Sequence, residues 1–219
     1  MTSTTRRVGA LALVLGLGGA GLSLAGFAGT PDAPSVSWSA MEQADAGAYA
    51  VDNVHSEIEF HVIHLGISTV TGQFQDYTAA VQYDPADPRS LSVQATIQAA
   101  SVDTDVEQRD AHLRTADFFD VENNPTITFQ STGVTGVEGD HLQLAGTLTM
   151  RGQSHPVVLD VVPTGAAQDP WGHSRVGFRA TGRINRSEWG VSYNQPLAAG
   201  GLMLSEEIEI VLNVSAVQQ

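Results

Sequence analysis

The sequence predicts a mainly β fold, an antiparallel sheet of about eight strands closed into a barrel, with one short helix inserted at about 104–116. Three observations carry this. Apolar and polar residues alternate with period two through most of residues 49–216, the pattern of strands with one dry and one wet face. Turn chemistry separates the segments at Asp84-Pro85, Asn123-Asn124-Pro125, Gly139-Asp140 and Gly152-Gln153. Only Thr104–Phe119 replaces the alternation with a helical pattern. Closing a sheet of this size removes its exposed edges. Eight strands enclose a bore that side chains fill or one small ligand occupies. A two-sheet sandwich has the same strand count and alternation, and periodicity does not separate the two.

Two segments precede the sheet. Met1–Ala28 has a basic start at Arg6 and Arg7 and an uncharged apolar run from Val8 to Leu24. Small residues follow at Ser23-Leu24-Ala25 and Gly26-Phe27-Ala28, at the spacing a signal peptidase reads. The segment reads as a removed signal peptide, which places the domain in the periplasm or outside the cell with no stable membrane insertion afterwards. An uncleaved N-terminal anchor is the competing reading. The glycine content and the immediate cleavage sites weigh against it. The arginine pair also hints at twin-arginine export, although Val8-Gly9-Ala10 is weakly apolar for that route. Gly16-Leu17-Gly18-Gly19-Ala20-Gly21 has the spacing of a dinucleotide-binding loop, but it follows no strand and would be cut off. Residues 29–47, rich in Ala, Pro, Ser and Asp, read as a flexible linker. The domain then spans 48–219.

Within the domain, Ile58, Phe60 and Val62 alternate with Glu57, Glu59 and His61. After a break at Leu65-Gly66-Ile67-Ser68 a strand is expected from Val70 to Tyr83. Leu91, Val93, Ala95, Ile97 and Ala99 alternate next. Beyond the helix come Thr126–Phe129 with the stretch to Val137, then Leu142, Leu144, Leu148 and Met150, then Val157, Leu159 and Val161. Gly165–Pro170 reads as a loop into Val176, Phe178 and Ala180. Ile208, Ile210, Leu212 and Val214 mark the last strand.

The helix carries its own start signal. Thr104 and Glu107 have the spacing of a capping box, and Asp105 and Glu107 ahead of Arg109 and Arg114 suit the helix dipole. Val106 and Leu113 share one helical face, and Asp110 falls between them, flanked by Arg109 and His112. A charge set into an apolar stripe has to be paired or has to meet something. Arg109, Asp110 and His112 are therefore either a structural ion pair locking the helix onto a barrel mouth or a polar anchor for a ligand head group.

Composition narrows the function. The chain of 219 residues is 42% apolar, has a formal net charge of −14, and contains no lysine and no cysteine. Loss of residues 1–28 removes two arginines and no acids, leaving −16. Such a surface repels nucleic-acid phosphates and anionic lipid head groups, so neither is an expected partner surface. Disulfides, thiolate nucleophiles and cysteine metal sites are excluded. No nucleophile elbow, zinc-binding His-Glu-x-x-His or phosphate loop is present. His55, Glu57, Glu59 and His61 share a strand face and have the donor types for a divalent ion. The alternation reads more simply as a hydrated outer face. No catalytic residue, cofactor or metal is assigned, and an enzyme using surface His, Asp or Glu is kept as the alternative.

The aromatic residues are spread over many strands, as a barrel lining would be, and Trp189 and Tyr193 fall near an expected rim. Several motifs then coincide in order. They are Tyr49-Ala-Val-Asp52 with His55-Ser56, Phe60 with His64-Leu65, Gly72-Gln-Phe74, and Arg109-Asp110-Ala-His112-Leu113 running into Asp117-Phe118-Phe119-Asp120. Asn124-Pro125-Thr-Ile-Thr-Phe129, Gly146-Thr-Leu148-Thr-Met150-Arg151-Gly152 with His155-Pro156-Val157, and Ile184-Asn185-Arg186-Ser187-Glu188-Trp189-Gly190 complete the series. Together, over about residues 49–216, they resemble the YceI-like family of exported lipid-binding proteins. Gln153 stands where a hydrophobic residue is usual and Trp189 where Phe is common. The resemblance implies a lipocalin-like barrel whose apolar tunnel holds an isoprenoid or other long-chain amphiphile. The expected tunnel wall is Phe60, Val62, Val93, Ile97, Leu113, Phe119, Phe129, Leu148, Phe178 and Trp189, with Arg109, Asp110 and His112 toward a head group. The expected function is a soluble carrier or sequestering protein, and a homodimer is compatible with it.

Overall fold

A computed structural model describes residues 37–219. The signal peptide expected over 1–28 and the first part of the linker lie outside the described residues. Among the described residues eleven antiparallel strand segments form one sheet. They are β1 (Gly47–Val51), β2 (Glu57–His64), β3 (Ser68–Phe74), β4 (Tyr77–Asp84), β5 (Asp87–Gln98), β6 (Val102–Asp103), β7 (Thr126–Glu138), β8 (His141–Met150), β9 (Gln153–Gln168), β10 (Ser174–Asn185) and β11 (Glu207–Gln218). Eight of them close a ring in the order β1-β4-β5-β7-β8-β9-β10-β11, and β11 returns to β1 through Tyr49↔Gln218 and Val51↔Ala216. The barrel alternative is therefore the correct one, and the sandwich is not.

The three remaining segments continue the wall at one end. β11 pairs with β1 near its C-terminus and with β2 near its N-terminus, from Asn213↔Glu57 to Glu209↔His61. β3 pairs with β2 and, through Gln73 and Phe74, with β6. Thus β1 with β2, β3 with β4, and β5 with β6 are halves of three long strands, each interrupted once. At the first interruption the Asp52 carboxylate accepts the Val54 amide at 3.1 Å, an Asx turn that bends the chain without orphaning its backbone. At the others Gln75 N donates to Ser101 O and Gln98 N donates to Asp76 O. The single strand expected from Val70 to Tyr83 is accordingly two.

One end of the barrel is closed. Ser37 caps a 3₁₀ helix at Trp38–Met41, Met41 is fully buried, and Trp38 Nε1 donates to Asp140 O at 3.1 Å. The Trp38 ring lies 6.2 Å from both Tyr83 and Phe178, which meet edge to face at 5.6 Å. Gln43 Nε2 donates to Ala166 O, and Asp45 N donates to Ser174 Oγ. The flexible linker expected over 29–47 is corrected here: from Ser37 onward the chain packs on the barrel. Its two large apolar residues, few for a strand, are enough for a plug. The loop expected at Gly165–Pro170 is also shorter. β9 runs to Gln168 across a bulge at Gly177/Phe178, with Gly165 at φ 138 supplying the conformation the bulge needs.

The other end carries α1 (Glu107–Leu113), shorter than the predicted 104–116. The capping box does not form. Val106, not Thr104, precedes the first turn, in extended conformation and with no side-chain cap. Thr104 instead gives its amide (2.9 Å) and its hydroxyl to the Asp110 carboxylate. An Asp one turn further on competes successfully because it satisfies two donors from within the fold, whereas Glu107 stays exposed. Since Val106 lies outside the helix, helical periodicity does not fix its direction relative to Asp110.

Candidate functional site

Inside the ring lies an apolar cavity of about 720 Å³, within the about 300–1,000 Å³ typical of small-molecule sites. Its wall follows from strand alternation. β2 contributes Ile58, Phe60 and Val62, β5 contributes Leu91, Val93, Ala95 and Ile97, and β11 contributes Ile208, Ile210, Leu212 and Val214. Of the predicted wall residues, Phe60, Val62, Val93, Ile97, Leu113, Phe119, Phe129, Leu148 and Phe178 all line the cavity. Trp189 does not. It is 1% exposed, its indole N–H donates to Leu148 O at 3.0 Å, and its ring meets His155 edge to face at 5.0 Å. A Trp in a rim motif that finds a carbonyl behind the wall becomes a structural anchor instead of lining.

Two glycines shape the wall. A Cβ at Gly72 would fall 2.3 Å from the Phe60 ring, and one at Gly146 would fall 2.4 Å from the Phe129 ring. Each aromatic ring lies flat across a neighbouring strand in space that only glycine leaves. Phe60, Phe74 and Phe119 then form a cluster with centroids 5.5–6.4 Å apart, the part of the wall beneath α1.

The polar candidates separate. Arg109 and His112 line the cavity; Asp110, 5% exposed, turns to Thr104 and does not. Asp110 is hence not ion-paired with Arg109 and does not border the cavity. Arg109 Nε donates to Thr104 Oγ1 at 2.7 Å and Nη2 to Thr104 O at 2.6 Å. His112 Nε2 sits 2.8 Å from Asp117 Oδ2, and its ring touches Phe118 and Tyr193, each at 5.0 Å. Arg114 reaches Ala100 O and Val102 O, and Arg151 reaches Ala116 O and Phe118 O. The planar fork of arginine suits such carbonyl pairs, and these arginines strap α1 and the turn after it across the barrel end.

Sequence reasoning did not single out Arg186. It lies in the 3₁₀ turn Arg186–Trp189 after β10, is 5% exposed, and lines the cavity. Nε donates to Ser205 O at 2.9 Å and Nη1 to Val191 O at 2.7 Å. Burial holds its guanidinium below the ordinary value, partly offset by the exposed Glu206. The only available signal was a cation inside the Ile184–Gly190 motif.

The strand-face histidine group does not assemble. His55 Nδ1 contacts Asp52 at 2.9 Å, while His61, buried with Glu209, contacts it at 3.1 Å on the side opposite Phe60. The fully hydrated outer face expected there holds at His55 and fails at His61. Among the described residues no three or more His, Cys, Asp or Glu converge on a metal-sized site.

Beyond the cavity, at the plugged end, Arg175 bridges Asp52 (2.8 Å) and Asp169 (3.1 Å). The Arg175 hydrogen bond, then His55, hold the Asp52 carboxyl at about 2. Desolvation acts to raise Asp169, but amide bonds from His173 and Trp171 and the Arg175 contact outweigh it and bring it to about 2. Burial pushes the Tyr83 hydroxyl up to about 12, and it has no hydrogen-bond partner.

Comparison with known proteins agrees with this geometry. Residues 49–216 match the YceI-like domain. A UPF0312 protein of Pseudomonas aeruginosa is 36% identical over 179 residues, 81% of this chain and 90% of that protein. Protein YceI of Salmonella paratyphi B is 37% identical over 178 residues, covering 80% and 90%. Among solved structures, the Campylobacter jejuni YCEI protein superposes with a TM-score of 0.63 at 32% identity, covering 72% of this chain and 90% of that one. A polyisoprenoid binding domain from Saccharophagus degradans shares the fold with a TM-score of 0.61 at 14% identity, covering 79% and 99%. With closed barrel, inserted helix and motif order all in agreement, the chain belongs to the YceI-like family.

Proposed function

We propose that this protein binds one long-chain amphiphile, an isoprenoid or similar lipid, and carries or sequesters it as a soluble exported protein without catalysing a reaction. The observation that carries the reading is the apolar cavity of about 720 Å³ running up the barrel from the plug that closes one end. Burial of a polyprenyl chain gains about 0.8 kcal/mol per methylene, offset in part by ordering the chain. Such a ligand needs a dry bore more than it needs dense hydrogen bonding, and the wall offers that. The fold shared with a polyisoprenoid binding domain supports the same class of cargo. The acidic exterior keeps a loaded carrier soluble.

Native mass spectrometry of the exported protein, followed by organic extraction, tests this. The expected result is one long-chain species per barrel on a polypeptide lacking about its first 28 residues. A stoichiometric metal with no lipid overturns the carrier reading, and an intact Met1 overturns the export reading.

A further inference from the structure

We infer that Arg186 is the anchor for an anionic head group, so that the cargo is an amphiphile ending in a carboxylate or phosphate. This rests on the proposed function, whose cavity it occupies. The argument begins with a charge out of place. A buried ion is ordinarily paired, because desolvation costs more than isolated hydrogen bonds return. The Arg186 guanidinium is buried, yet no carboxylate lies within ion-pair distance of it among the described residues. Its bonds to Ser205 O and Val191 O use Nε and Nη1 and leave Nη2 without a protein partner. The neighbouring Glu206 is exposed and acts only at a distance.

The same residue lines the cavity beside Val191, Tyr193 and Leu204, at the end opposite the Trp38 plug. The β2 carboxylates do not compensate it. Glu57 and Glu59 also border the cavity, but neither comes within ion-pair distance of Arg186, and Glu57 accepts from Asn213 Nδ2 at 3.2 Å. A fork fixed by two backbone carbonyls, with an unpartnered Nη2 and set in the wall of a mostly apolar bore, is pre-organised for an anion. The orientation of the cargo follows: head at Arg186, tail toward Phe178 and the plug.

Hexadecanoate and hexadecanol share a tail and differ in the head, so they separate the two ideas. Delipidated protein should bind hexadecanoate at least about tenfold more tightly than hexadecanol at neutral pH. In Arg186→Gln that ratio should fall to about one with hexadecanol binding kept, which also reports on folding. A second readout needs no variant. Carboxyl-¹³C hexadecanoate bound to the wild-type protein should stay ionised down to pH about 4.3, the ordinary carboxyl value. In an apolar bore without a cation, burial would instead lift that midpoint. Equal binding of acid and alcohol, or a raised midpoint, overturns the anchor and leaves the carrier reading standing. Binding of neither probe overturns both.

Discussion

Single residues show how this chain spends its few charges. Ten arginines and no lysine are available, and the buried or half-buried ones around α1 donate mainly to backbone carbonyls. Asp110 completes the arrangement from the acceptor side by taking the Thr104 amide and hydroxyl. Removing that carboxylate strands two buried donors, at a cost of about 1–3 kcal/mol. For a domain of this size that corresponds to about 2–12 °C in melting temperature. Asp110→Ala should show a loss in that range by thermal denaturation, and Asp110→Asn, which keeps one acceptor oxygen, a smaller one. An unchanged melting temperature in Asp110→Ala would show the carboxylate to be dispensable. The sequence marked Asp110 as a residue needing a partner, but a seven-residue helix could not reveal which one. Thr104 read as a cap for Glu107 because that spacing is the commoner use of the motif. Trp189 shows the same limit. Its place near the rim was legible, but the Leu148 carbonyl that captures its indole comes from another strand.

At the scale of elements, period-two alternation made nearly every strand legible, since one face of each is dry along its whole length. The interruptions that split three long strands were not legible, because they are held by backbone and Asx bonds that leave no trace in hydropathy. The closed end was missed for a related reason: a plug needs only Trp38 and Met41 on a segment otherwise composed like a linker. That end is also where pH acts. Asp52 follows the last residue of β1 and Arg175 lies at the start of β10, so their contact reaches across β11, which closes the ring on β1, beside Asp169. The folded Asp52 carboxyl sits at about 2, below its usual 3.8. A depressed acid contributes stability above its unfolded value and loses it as pH falls toward the folded one. The contribution is therefore complete above about pH 4 and gone near pH 2. Asp52→Asn, which preserves the Asx turn, should melt lower than wild type at pH 7, with the gap closing between pH 4 and 2. A gap of constant size across that range would show that the charge on Asp52 contributes nothing.

For the whole molecule the decisive question is whether the bore is a container or a core, and alternation alone could not choose, since both put one apolar residue per strand inside. The structure answers with an open volume bounded by Phe60, Phe129 and Phe178. Nine of ten predicted wall residues were legible because inwardness is a property of the strand, whereas Arg186 was not, because its burial depends on a loop folding back over it. Ala95 and Ala99 sit four apart in the same stretch, and sequence makes them equivalent. They are not. Ala95 lines the cavity between Ala79 and Phe129 in the strand register, while Ala99 is 1% exposed in the 3₁₀ turn after β5 and lies outside the lining. A Trp at 95 has empty space to enter, so Ala95→Trp should abolish co-purifying lipid and leave the melting temperature of the delipidated protein within a few degrees of wild type. A Trp at 99 has none, and overpacking there should cost about 1–3 kcal/mol or more. Bound lipid per protein and the melting temperature of each delipidated variant decide the matter. If Ala95→Trp proves as destabilising as Ala99→Trp, the bore behaves as packed core, and the container reading fails with it.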